Sequence, residues 1–134
     1  MGEKAPLVQK ISVTTPNVAA GSTDSFAIGE AAFDGEVTAI SFIPDAAATG
    51  DNTNKRTYTV VNKGQNGSGT TVLGTLDLVT GNNLVAFDEK AFVLSAVEGA
   101  LEVNAGDVLA LVSTHAASGL ADPGGTIQVT IERA

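Results

Sequence analysis

The 134-residue sequence contains no cysteine and no tryptophan, and it has a single tyrosine, Tyr58, and a single histidine, His115. Without cysteine there is no disulfide framework and no zinc–thiolate or iron–sulfur site. One histidine cannot hold a transition metal unless several carboxylates converge on it. The shortage of Trp and Tyr removes the exposed aromatic platforms on which sugar-binding grooves usually depend. Basic residues are also scarce: seven Lys and Arg stand against fifteen Asp and Glu, a formal net charge of −8. Binding nucleic acid or an anionic membrane surface needs a basic footprint, so neither partner is expected. No run approaches the roughly 20 apolar residues of a membrane-spanning helix. Residues 1–6 carry a Lys but no following apolar stretch, so no secretory signal is expected. Pro6 stands where an N-myristoylation motif needs Ser or Thr.

What the sequence has in quantity is alternation with a period of two. Ile127, Val129 and Ile131 alternate with Thr126, Gln128, Thr130 and Glu132, which describes a strand with one buried and one wet face. Similar runs occupy 8–15, 24–29, 36–43, 56–62, 71–79, 84–87, 91–94, 101–103 and 107–113. They are short, rich in Val, Ile, Leu and Thr, and bounded by Gly, Asn, Asp and Pro. The expected fold is all-β, a single jelly-roll-type β-sandwich of about eight to ten short antiparallel strands. Segment 88–99 contains helix formers, but Phe92-Val93-Leu94 favours a strand there. Residues 1–12 read as an N-terminal arm or edge strand, and 13–134 as the sandwich. The longer loops 44–55 and 63–70 flank one strand, so they are expected at opposite ends of the molecule.

The motifs carry little chemistry. There is no G-x-S-x-G, and His115 falls in a stretch of small residues that reads as an exposed loop. Asp51-Asn52-Thr53-Asn54 has the oxygen content of a calcium loop, but Lys55 and Arg56 interrupt the EF-hand pattern, leaving an Asx turn as the simpler reading. Gly64, Gly67 and Gly69 lack the strand–loop–helix setting of a phosphate cradle. Asn66-Gly67-Ser68 is a glycosylation sequon, relevant only on a eukaryotic secretory route. The five phenylalanines, Phe26, Phe33, Phe42, Phe87 and Phe92, mostly occupy strand positions and are expected in the core. No catalytic residue, cofactor or metal site is expected, and the chain is not expected to be an enzyme.

One resemblance is more definite. The run 35–75, GEVTAISFIPDAAATGDNTNKRTYTVVNKGQNGSGTTVLGT, resembles the central part of the small jelly-roll decoration, or cement, proteins of tailed-phage capsids. The resemblance resumes at Val103-Asn104-Ala105-Gly106-Asp107-Val108-Leu109 and continues through Gly119 to Pro123 and the closing strand 126–132. It covers about two thirds of the chain, through structural motifs of moderate specificity. It implies a homotrimer on the outer surface of the virion capsid that bridges neighbouring copies of the major capsid protein. On that reading the N-terminal stretch 2–12 is expected to meet the capsid or a neighbouring subunit, with Lys4, Leu7, Val8 and Lys10 as the capsid-contact residues, and loop 44–55 is a second candidate contact. The alternative is a carbohydrate-binding or adhesin-type β-sandwich module of a phage fibre or bacterial surface protein.

Overall fold

The structure is a computed structural model that describes residues 6–133. Ten strands and no helix make up these residues, arranged in two sheets with every pairing antiparallel. Sheet I runs in the order β1 (Leu7–Thr15), β10 (Gly125–Arg133), β3 (Gly35–Pro44) and β6 (Lys90–Ala91), with β8 (Glu102–Val103) also paired to β3. Sheet II runs β2 (Asp24–Glu30), β9 (Val108–Ala116), β4 (Lys55–Gly64), β5 (Thr71–Asp77) and β7 (Val93–Leu94). The pairing is nested: β1 with β10, β2 with β9, β3 with β6 and β8, and β4 with β5. One long hairpin wound around the core in this way is a jelly roll, as the alternation and turn spacing predict.

The core lies between the sheets. Ile127, Val129 and Ile131 of β10 are wholly buried, facing Leu109 and Leu111 of β9 and Tyr58 and Val60 of β4 in one cluster. Each such side chain contributes about 1.5–3 kcal/mol by leaving water. The period of two breaks once in β3. Thr130 pairs with Ala39 but Ile131 pairs with Val37, so Thr38 is an extra residue that bulges out of the ladder. The bulge lets Val37 and Ile40, three residues apart, both point inward with Phe42.

Three expected strands differ in the structure. Segment 84–87 is not a strand: Leu84 makes only an isolated bridge to Ala48, and Phe87 turns the chain with φ of +62°. Segment 91–94 divides between the sheets, Ala91 pairing with Ser41 of sheet I and Val93 with Thr75 of sheet II. Buried Phe92 sits at the crossing and donates its N–H to Ile40 O at 2.9 Å, so this segment closes one flank of the sandwich. The strand expected at 107–113 continues to Ala116, which places His115 inside β9 opposite Arg56, half-buried, and not in an exposed loop. At the other end of the chain, residues 7–12 belong to β1 without a break before Val13.

Candidate functional site

The densest polar chemistry is a buried network at one end of the sandwich. Arg56 and Tyr58 point inward from β4, and Ser113 lies directly across from Tyr58 on β9. Asp122 enters from the loop before β10, and all four are wholly buried. The Asp122 carboxylate accepts from Tyr58 Oη at 2.9 Å, Ser113 Oγ at 2.8 Å and the Gly124 backbone N at 2.9 Å. Gly124 can offer that N–H because its φ is +75° and a Cβ there would lie 2.8 Å from Thr15 O. The Arg56 guanidinium donates to Leu120 O at 2.7 and 2.9 Å, Ser22 O at 2.8 Å, Ala19 O at 3.1 Å and Ser113 Oγ at 3.3 Å. Ser113 thus stands between the buried cation and the buried anion. Burial, and then the Asp122 charge, push the Tyr58 phenol far above its ordinary range, so it stays a neutral donor.

The network contains a serine and an aspartate, and His115 lies two residues further along β9 with no hydrogen bond to either. The Ser113 hydroxyl donates its hydrogen bond to Asp122, and His115 Nδ1 faces Ala117 O at 3.1 Å. Ser113 is fully buried, and its hydroxyl is not hydrogen-bonded to His115 as a serine nucleophile would be to its base. What the network does is bind the end loops, through Ala19, Ser22, Leu120 and Asp122, to β4 and β9. Nothing in the local sequence announces it, except that Arg56 and Tyr58 share the inward face of one strand.

The other oxygen-rich groups are also engaged internally. Asp51 Oδ1 accepts from the backbone N–H groups of Thr53 at 2.7 Å and Asn54 at 2.8 Å, an Asx turn that lowers the carboxyl pKa. Asn52 and Asn54 turn their Oδ1 atoms to the N–H groups of Thr80 and Ser118. Asp107 accepts from Asn104 N at 2.9 Å and Asn62 Nδ2 at 3.0 Å, which lower its pKa in that order. Among the described residues no group of three or more His, Cys, Asp or Glu could hold a metal ion.

On the outer face of sheet I a shallow groove lies over the small residues Ala39, Ser41 and Ala91, with Lys10 at the β1 side and Glu89 at the β6 side. A polar chain crosses its floor: Gln128 Nε2 donates to Ser12 Oγ at 3.3 Å, and Ser41 Oγ donates to Glu89 Oε2 at 2.7 Å. Of the expected contact residues, Leu7, Val8 and Lys10 lie exposed on β1, Leu7 on the opposite face from the other two, while Lys4 lies outside the described residues.

Large apolar side chains are exposed unevenly. Seven are exposed among the described residues, and five of them, Val72, Val85, Phe87, Val93 and Val97, lie on β5 or between β5 and β8. Phe87 and Val93 are 77% exposed and Val97 is 72% exposed. The expectation that the phenylalanines are core residues therefore fails at Phe87; Phe42 and Phe92 are buried, and Phe26 and Phe33 pack against the core. Acids share this flank: Asp88, Glu89, Glu98 and Glu102, against one base, Lys90. Tyr58 stacks on Phe42 inside the core, with ring centroids 4.9 Å apart.

No family model matches the chain, and no curated protein matches it. Among solved structures it is similar to that of infectious bursal disease virus, Gx strain, with 13% identity and a TM-score of 0.27. The match covers 96% of this chain but only 41% of the other. A likeness this weak assigns neither a fold nor a role.

Proposed function

We propose that this chain is a structural protein of a virus: a decoration protein that binds the outer surface of a tailed-phage head as a homotrimer and bridges neighbouring major capsid protein subunits. The observation that carries this reading is the division of labour in the molecule. Its buried polar groups are engaged in holding end loops to β4 and β9, while five of the seven exposed large apolar side chains among the described residues lie on β5 or between β5 and β8 and the other two on β1. Such a molecule is built to be docked against another protein, not to turn over a substrate. The family-like run 35–75 spans β3 to β5, the centre of the roll, and the family-like Ala105-Gly106-Asp107 forms the turn into β9. The carbohydrate-binding alternative loses support, because the single tyrosine is buried and Phe87 is the one strongly exposed aromatic among the described residues.

The physical effect of such a protein is linkage. A ligand that binds only the assembled shell stabilises it by RT ln(1 + [L]/Kd), about 2.7 kcal/mol at a hundredfold excess over Kd. Three linked copies raise the effective concentration of each foot once one has docked. A rigid sandwich loses little conformational entropy in docking. Co-sedimentation of the purified chain with expanded empty capsids tests the proposal. Saturable binding that raises the temperature of capsid disruption is the expected result, and a chain that stays in the supernatant at micromolar shell protein overturns it.

A further inference from the structure

Phe87 combines two unfavourable features. It is a non-glycine residue at φ of +62°, and its ring is 77% exposed. A bulky L-residue in the left-handed region is strained, and an exposed ring adds the cost of apolar hydration. Glycine or asparagine would make the same turn more cheaply. The stability of a single copy therefore gives no reason for phenylalanine here, whereas a partner that covers the ring does.

The flank around Phe87 is extended. Phe92 N donates to Ile40 O and Ser95 N donates to Leu73 O, so 87–97 runs beside β3 and β5 with Val93 and Val97 exposed. The two remaining exposed large apolar residues, Leu7 and Val8, lie on β1. In sheet I, β1 and β6 are the two opposite edges. The charges at these edges differ in sign. Lys10 is exposed on β1, whereas Asp88 and Glu89 adjoin Phe87. Glu132, the acid opposite Val8 on β10, accepts a 2.6 Å hydrogen bond from Thr38 Oγ1, as Glu89 accepts one of 2.7 Å from Ser41 Oγ, whereas Asp88 adjoins Phe87 directly.

We propose that copies of this chain associate head to tail, the β1 edge of one copy seating on the β5–β7 flank of the next, with Phe87 as the anchor and Lys10 facing Asp88 and Glu89. A symmetric contact between two β5–β7 flanks would set Asp88, Glu89, Glu98 and Glu102 against like charges. Joining opposite edges avoids this, and a heterologous contact of this kind closes into a ring when the rotation per copy permits. The inference deepens the homotrimer reading and rests on it for the closure of the ring.

Sedimentation equilibrium of the purified full-length chain tests it. The wild type is expected to form one closed oligomer at roughly 100 µM, and Phe87→Gly to weaken association by about tenfold or more. At dilutions where both proteins are monomeric, the same variant is expected to keep its β circular dichroism and an unchanged or higher urea midpoint, since glycine relieves the backbone strain. Lys10→Glu should weaken association, and adding Asp88→Lys to it should restore most of the loss. A wild type that is monomeric throughout this range overturns the inference. So does a monomer that binds capsids only when Phe87 is present, because the shell protein would then be the occupant. An oligomer indifferent to Phe87→Gly overturns this interface yet leaves the homotrimer reading standing, and capsid co-sedimentation judges that reading separately.

Discussion

Asp122 receives three hydrogen bonds in a site without water-exposed atoms, and its removal shows what the end network contributes. Asp122→Ala leaves the Tyr58 and Ser113 hydroxyls without their acceptor and Arg56 without the neighbouring anion. Uncompensated buried polar and charged groups of this kind cost about 3–5 kcal/mol, and that loss is expected in urea unfolding. A loss below about 1 kcal/mol would mean that the loops re-form around other partners. Asp122→Asn, which keeps an acceptor, should lose less. The alternation of Arg56 with Tyr58 was visible in the sequence, but Ala19, Ser22 and Leu120, whose carbonyls satisfy the guanidinium, are far away in the chain and bear no distinguishing side chain.

At the scale of elements, the long strands were legible, and the short strands at 91–94 and 101–103 were legible in place but not in the sheets they join. β1, β4, β9 and β10 each turn one face inward, so their inward residues recur every second position, as do those of β3 apart from its bulge at Thr38. Segment 84–103 follows no such rule, because it serves two sheets in turn and pairs for only two residues at a time. Phe92 is what holds it, so Phe92→Ala should cost about 3–5 kcal/mol through the cavity it leaves. Amide exchange should rise selectively over 90–103. Uniform acceleration across both sheets would instead mean that this flank unfolds only with the whole molecule. His115 was misplaced for a related reason: the small residues after Ser113 suggested a loop, but pairing of Ala116 with Lys55 extends β9 through them.

For the whole molecule, nested pairing has a kinetic consequence. Leu7 pairs with Arg133, so the outermost ladder closes only after almost the entire chain has been gathered. Loop-closure entropy must be met before those contacts form, and folds dominated by distant pairings refold in about milliseconds to seconds. Stopped-flow refolding from urea should fall in that range; a main phase faster than about 100 µs would show that local structure forms first and dominates. The same winding leaves β1 at one edge of sheet I and the Phe87 flank at the other.

By itself the sequence determined that this chain is a β-sandwich with an apolar core, because period-two alternation and turn residues are local consequences of strand geometry. It determined the acidic surface and the absence of thiol chemistry in the same direct way. Tertiary structure alone decided that Phe87 stands in water while Tyr58 does not, and that Ser113 answers to Asp122 and not to His115. These outcomes depend on which distant segments meet when the roll closes, and no property of a residue or its neighbours in the chain encodes that meeting. The jelly roll was therefore readable from its parts, and its docking edges only from the assembled whole.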